Sequence, residues 1–155
     1  MRFGLYLPNC GEFSDVRAVG ELAREAEFGG WDGIFLLDAV SPFEPGSYLP
    51  MVDPRLALMA IALATERIRF GALVTSVARR RPAQLARQTV TLDRASGGRL
   101  VVGVGLGYGP AADPEFAGLG EESDPIVRAA KLDEGLEVLT GLVAWRGFSY
   151  AGQYN

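Results

Sequence analysis

The 155-residue sequence contains no histidine and a single cysteine, Cys10. Without histidine, the chain alone can form neither a Ser-His-Asp triad nor a histidine-ligated zinc site. A lone cysteine also excludes a cysteine cluster and an intrachain disulfide. We therefore expect no metal site, and any chemistry must come from carboxylates, arginine, lysine, tyrosine, hydroxyl groups, the backbone or a bound cofactor.

Long apolar runs are also missing. No segment reaches the roughly 18 uninterrupted apolar residues of a membrane span, and the first residues enter a strand without a signal-peptide layout. The formal charge of −4 argues against a nucleic-acid binder. The absence of disulfides is compatible with a reducing compartment. We expect a cytoplasmic protein that contacts neither a membrane nor nucleic acid.

Short apolar strands alternate with amphipathic helices four times along the chain. The pattern predicts strands at 3–7, 34–37, 68–73 and 100–104, and helices at 15–28, 54–65, 82–96 and 125–143. This alternation indicates an α/β fold with a parallel sheet covered by helices. The length corresponds to one domain, residues 1–155, with an irregular tail at 145–155.

The loops that follow the strands, at 8–14, 38–53, 75–81 and 105–124, are much longer than the turns that precede them. In parallel α/β folds, the carboxyl ends of the strands carry the functional site. The loop lengths therefore predict that any ligand binds at that end of the sheet.

Charged residues follow two of these strands. Asp38 comes directly after an apolar strand, where a carboxylate can bind a ligand or act as an acid or base, or can cap a loop by accepting backbone N–H groups. Arg79, Arg80 and Arg81 precede a helix. One of them could clamp a phosphate or carboxylate, but a solvated run that pairs with surface acids is the favoured interpretation.

The fourth strand ends in a glycine-rich run, residues 103–109. Its spacing does not fit the GxGxxG dinucleotide motif, because Tyr108 and Pro110 occupy the places where the third glycine would be required. The glycines therefore either allow a flat ligand to approach the backbone closely or serve a purely structural purpose.

Five segments in this order resemble the luciferase-like monooxygenase family. They are RFGLYLP at 2–8, AEFGGWDG at 26–33, ATERIRFG at 64–71, RRPAQLAR at 80–87 and TLDRASGGRL at 91–100. The resemblance implies an oxidoreductase that uses FMN or coenzyme F420 on a (β/α)8 barrel. The chain would correspond to the first four βα units, a four-unit half of a TIM barrel, since a complete barrel usually needs about 250 residues.

The resemblance also implies which residues form the site. The cofactor ring would lie near Leu73, Val74, Gly105 and Gly107, and a non-proline cis peptide would fall near Leu73–Val74. Asp38 matches an acidic position that is often followed by histidine, but Ala39 follows it here.

Tyr108 lies where some F420-dependent members carry a catalytic glutamate. Asp38 and Tyr108 are therefore the candidate catalytic residues, the tyrosine as a proton donor or a stacking group.

A half-barrel leaves two sheet edges and an apolar inner face without a partner. We expect a second copy, a complementary half-barrel chain, the chain's own tail or residues missing from a fragment to cover them. The leading hypothesis is a flavin- or F420-dependent oxidoreductase, and the alternative is a non-catalytic half-barrel that serves in binding or assembly. An independent flavodoxin-like domain is disfavoured, because the first unit lacks the composition of a phosphate loop.

Overall fold

A computed structural model describes residues 1–40, 48–107, 119–144 and 147–154 of the chain. In this part, four strands alternate with four α-helices, and two short 3-10 turns precede α1 and α3. The strands are β1 (Gly4–Leu7), β2 (Gly33–Leu36), β3 (Arg69–Ser76) and β4 (Leu100–Gly105). The helices are α1 (Val16–Phe28), α2 (Pro54–Ala64), α3 (Pro82–Ala95) and α4 (Pro125–Val143), and the 3-10 turns are Gly11–Ser14 and Val77–Arg79.

The four strands form one parallel sheet in the order β1-β2-β3-β4. The predicted fold class is therefore confirmed. The register between β3 and β4 shifts between Ala72 and Thr75, and β3 continues to Ser76, three residues beyond its predicted end. Because all four strands are parallel, the four strand-to-helix loops leave the sheet at one end.

Aspartate side chains cap the amino ends of three of the helices. Asp15, Asp53 and Asp124 accept backbone N–H groups of the first helical turn, and proline occupies the first turn after Asp53 and Asp124. A carboxylate at this position satisfies amide groups that have no partner inside the helix. These caps fix where the long strand-end loops rejoin the helices.

The main core lies between one face of the sheet and α1 and α2. Ile34, Leu36 and Phe70 from the strands pack with Leu58 and Ile61 of α2 in a fully buried cluster. A second cluster joins α3 to α4 through apolar side chains such as Leu85 and Leu139.

The opposite face of the sheet is open. Leu5 and Leu7 pack towards the core, so Tyr6 between them points to the other side, where it is 55% exposed. Leu73 and Val74 of β3 are also partly exposed, at 38% and 40%. In the described residues no element covers this inner face, as expected for a half-barrel whose inner face has no partner.

The described part of the tail, residues 147–154, contains no helix or strand and packs on α4. The carboxylate of Glu134 accepts the backbone N–H groups of Gln153 and Tyr154, each at 2.9 Å. The Phe148 ring lies against Gly141, where a β-carbon would come within 2.2 Å of it. The irregular tail is therefore attached to the helix layer. No helix in the described residues is long and apolar enough to cross a membrane.

The Glu27 carboxylate closes the turn between α2 and β3 at the amino end of the sheet. It accepts N–H groups of Glu66, Arg67 and Ile68, with distances of 2.5 Å to Arg67 and 2.7 Å to Ile68. Burial alone would raise the pKa of Glu27, but the three backbone donors and the charge of Arg67 outweigh it and lower the pKa. The carboxylate thus stabilises the turn in its charged form.

Replacing Glu27 with glutamine is expected to lower the free energy of unfolding by about 1–2 kcal/mol at neutral pH, because a neutral amide oxygen is a weaker acceptor and the site is partly exposed. The folded-state pKa lies below the unfolded one. The wild-type advantage is therefore complete above an unfolded pKa of about 4.3 and is lost as the pH falls through the folded value. Urea denaturation from pH 7 to pH 3 should show the two proteins converging; a constant difference would contradict this assignment.

Candidate functional site

A buried ion-pair cluster lies at the carboxyl ends of β2 and β3. The Asp38 Oδ1 atom accepts from a terminal nitrogen of Arg80 at 2.5 Å and of Arg79 at 3.3 Å. Arg79 also donates to the Asp38 backbone carbonyl at 2.7 Å. The side chain of Asp38 is 0% exposed, and those of Arg79 and Arg80 are 5% and 19% exposed.

These contacts decide between the alternatives left by the sequence. Arg79 and Arg80 do clamp a carboxylate, and that carboxylate is the buried Asp38 of the same chain. The favoured interpretation of a solvated run is therefore wrong for both residues. Of the three arginines, only Arg81 is exposed. The Asp38 side chain accepts guanidinium donors instead of capping its loop. Its second oxygen, Oδ2, is buried without a hydrogen-bond partner. One carboxylate oxygen therefore remains for a ligand or a proton.

Arg55, on the first turn of α2, adds a third buried cation beside this cluster. Its guanidinium donates to the Thr75 hydroxyl at 2.8 Å. Burial lowers the pKa of Arg55, the nearby charge of Arg80 lowers it further, and Asp38 and Asp53 act in the opposite direction. The strand ends therefore carry more positive than negative buried charge around Asp38.

Asn9 ties the loop after β1 to both ends of the loop between β2 and α2. It is 1% exposed, and its amide nitrogen donates to the carbonyls of Ala39 at 2.8 Å and Val52 at 3.0 Å. Its side-chain oxygen accepts the Ala39 N–H at 3.3 Å. Because both ends of the amide are used, Asn9 fixes the loop that carries Asp38 relative to the start of α2.

The predicted cis peptide is present between Leu73 and Val74. The Tyr6 hydroxyl donates to the Leu73 carbonyl across the open face of the sheet at 2.8 Å. The partly exposed side chains of Leu73 and Val74 form an apolar platform at the strand end. The structure thus brings two of the predicted cofactor-binding residues to an accessible position.

The glycines of β4 have a structural reason to lack side chains. A β-carbon on Gly105 would lie 2.7 Å from a methyl group of Val74, and one on Gly103 would lie 2.6 Å from the Leu73 side chain. Gly107 has a φ of 85°, which favours glycine. The glycines therefore let the platform residues pack against β4. Tyr108, the other candidate catalytic residue, lies outside the described residues.

The end of β4 is held by two side chains that donate to the same carbonyl. Ser76 Oγ lies 3.1 Å from the Leu106 oxygen, and the guanidinium of Arg128, which is 1% exposed, bonds to it as well. A cavity of about 350 Å³ lies beside Asp38, between the loop after β2, the start of α2 and the segment before α3. Its lining comprises Asp38, Ala39, Val40, Met51, Val52, Asp53, Pro54, Arg79, Arg80, Leu119 and Glu121.

Sequence reasoning missed Arg55 and Arg128 as residues of this region. Both lie in the first turns of helices, where a cation is normally solvated and unfavourable with respect to the helix dipole. That mismatch is the only signal that could have pointed to them. In the described residues, no group of three or more histidine, cysteine, aspartate or glutamate side chains could hold a metal ion.

Comparison with known proteins identifies the family. The model of the luciferase-like monooxygenase family matches residues 1–155. The chain is 31% identical to an F420-dependent glucose-6-phosphate dehydrogenase of Microbacterium testaceum over 99% of its own length and 44% of that protein.

Two solved structures show the same architecture. The monooxygenase RslO1 of Streptomyces bottropensis matches all of this chain and 46% of its own, at 27% identity and a TM-score of 0.82. The oxygenating constituent of 3,6-diketocamphane monooxygenase of Pseudomonas putida, in complex with FMN, matches at 22% identity and a TM-score of 0.79 over 99% of this chain and 43% of its own.

The chain thus spans about half the length of the curated relatives that it matches. The confirmed fold and the family model over residues 1–155 lead to one conclusion. This chain belongs to the luciferase-like monooxygenase family.

Proposed function

We propose that the chain is the cofactor-binding half-barrel of a flavin- or F420-dependent oxidoreductase that acts on a small organic substrate in the cytoplasm. The observation that carries the proposal is the apolar platform of Leu73 and Val74 at the carboxyl end of the sheet, beside Gly105 and Gly107. A flat isoalloxazine or deazaflavin ring fits such a surface, because the faces of the ring are apolar and the neighbouring glycines add no side-chain bulk.

The described residues fit the ring of the cofactor better than its phosphate. When bound, FMN or F420 would supply the redox chemistry, while the protein positions the ring and excludes water. Leu73 and Val74 would support one face of the ring. Arg79 and Arg80 already bind Asp38, so the phosphate needs an anchor that these two arginines do not provide.

Asp38 and Tyr108 remain the candidate catalytic residues in this proposal. Oδ1 of Asp38 is occupied by two guanidinium groups, and Oδ2 is the oxygen that can take a proton or a substrate hydroxyl group. Ala39 follows Asp38, so no histidine stands beside Asp38 to transfer a proton. Slow chemistry by this half alone is therefore expected.

A complementary half-barrel or a second copy is proposed to cover the open sheet face. The support is the exposure of Tyr6, Leu73 and Val74 on that face and the unpaired outer edges of β1 and β4 in the described sheet. Two-fold pairing of identical chains is the simplest arrangement that would bury both edges.

The second candidate function is a non-catalytic half-barrel that serves in binding or assembly. Two observations favour this role. Ala39 stands beside Asp38 where a histidine could serve, and Arg79 and Arg80 bind Asp38 and so do not provide a phosphate anchor. The two candidates differ in whether a flavin or F420 binds at the strand ends.

Absorbance titrations with FMN and F420 test the proposal. We expect weak binding by the chain alone, and at least about tenfold tighter binding, about 1.4 kcal/mol, once a complementary half-barrel from a relative forms a complex in sedimentation. Leu73→Ser should weaken binding, whereas Leu63→Ser, an equally apolar change on the exposed side of α2, should not. Equal affinities of the two variants, or no binding of either cofactor by the complex, would favour the assembly role.

A further inference from the structure

A cavity of about 340 Å³ lies at the amino ends of the strands, at the opposite end of the sheet from Asp38. Arg2, Arg67 and Arg69 contribute three cations to its lining, which is completed by Glu27, Gly30, Trp31, Asp32 and Ile68. All of these residues belong to continuous described segments. The volume falls at the lower end of the range for small-molecule sites.

The two carboxylates in the cavity are already committed to the backbone. Glu27 accepts three N–H groups of the turn before β3, and Asp32 accepts the N–H of Phe3 at 2.7 Å. Neither forms an ion pair within 4 Å with an arginine of the cavity in the described structure. Their charges reduce the excess of positive charge to one, and three of their four oxygens accept backbone N–H groups.

By contrast, the N–H donors of the three guanidinium groups are not used by other described residues. Arg2, Arg67 and Arg69 form no side-chain hydrogen bond with any other described residue, and Arg67 has only a longer-range attraction to Glu27. Each guanidinium presents five N–H donors in a fork that matches phosphate and carboxylate oxygens. A cavity that offers many donors and few free acceptors selects for an anion.

Trp31 supplies an apolar wall beside these cations. It is 40% exposed, and Gly30 before it has a φ of 84°. A β-carbon added to Gly30 would have no atom within 4 Å, so the space beside Gly30 is open. An aromatic ring can stack on an indole while its charged substituent reaches the arginines.

We propose that this cavity is a second ligand site, which takes a small anion that carries a phosphate or carboxylate group on a flat aromatic ring. The anionic group binds Arg2 and Arg69, and the ring packs on Trp31. The site lies at the end of the sheet away from the proposed cofactor platform, so it does not depend on the oxidoreductase activity. Occupancy would also tie β1, β2 and β3 together at their amino ends.

Isothermal titration calorimetry of the whole chain with adenosine monophosphate, adenosine and inorganic phosphate tests the proposal. We expect adenosine monophosphate to bind more tightly than either fragment, and its affinity to fall as salt is raised, because exposed charge pairs are screened. Arg69→Gln and Arg2→Gln should each weaken binding about tenfold, as loss of one charge-assisted contact predicts. Trp31→Leu should weaken adenosine monophosphate binding but leave phosphate binding unchanged.

Arg94→Gln, which removes an exposed arginine of α3 outside the cavity, is the matched control and should bind like the wild type. Equal binding of adenosine and adenosine monophosphate, an effect of Arg94→Gln as large as that of Arg69→Gln, or no binding by the wild type at millimolar ligand would overturn the proposal. Saturation with adenosine monophosphate should leave the FMN and F420 titrations unchanged, so failure of one site can be distinguished from failure of the other.

Discussion

Asp38→Ala is expected to lower the free energy of unfolding by about 3–5 kcal/mol, because removing one partner leaves buried charge uncompensated. Arg79 and Arg80 both donate to the carboxylate, and Arg55 is close enough for its charge to act on Arg80. Without Asp38, three cations would face one another at the strand ends. Urea denaturation at neutral pH measures the change.

The matched control is Asp133→Ala, which removes an exposed carboxylate from α4. It should change the free energy of unfolding by no more than about 0.5 kcal/mol. Asp38→Asn keeps the shape of the side chain and one acceptor oxygen. Its loss of unfolding free energy should lie between those of Asp38→Ala and Asp133→Ala. If Asp38→Ala were as stable as the control variant, the ion-pair cluster would not hold the loops after β2 and β3 together.

Arg99→Met should cost about 2–4 kcal/mol, because several carbonyl groups would lose a charged donor at once. The Arg99 guanidinium donates to the carbonyls of Ala62, Thr65, Ile68 and Ser96 and to the Thr65 hydroxyl, at 2.7 to 3.1 Å. It also lies 5.4 Å from the centre of the Phe70 ring.

Burial lowers the pKa of Arg99, and the charges of Glu27 and Glu66 oppose this effect. Methionine keeps most of the apolar stem, so the loss can be assigned to the guanidinium. Arg94→Met, in the last turn of the same α3 helix that precedes Arg99, is the control and should be nearly neutral. Thermal and urea midpoints that shift equally in the two variants would show that Arg99 does not join α2, β3 and α3.

The sequence was sufficient to predict the alternation of strands and helices, because the signals for it are local. Asp53-Pro54 and Asp124-Pro125 begin helices whose first turns need both a cap and a residue without an N–H group. The end of β3 was predicted three residues early. Pairing with β4 resumes at Thr75 after the register shift and carries the strand to Ser76, and no local composition signal marks that continuation.

The contacts of the site were less predictable, because they join residues that are distant in sequence. The run of arginines before α3 has the local composition of a solvated segment. Only the adjacency of β2 and β3 brings Asp38 within 3.3 Å of Arg79 and 2.5 Å of Arg80. The same holds for Arg55 and Thr75, which lie 20 residues apart. The position of Asp38 at the strand end could be predicted, but its partners depended on the order of the strands.

The proposed function requires that this chain contribute a cofactor platform and that a complementary half-barrel make it an efficient catalyst. Stopped-flow measurement with reduced FMN and oxygen, and with reduced and oxidised F420, tests this requirement when the chain is compared alone and in the assembled complex. We expect little turnover by the chain alone, and turnover in the complex that falls in Leu73→Ser but not in Leu63→Ser. Efficient turnover by the chain alone would contradict it.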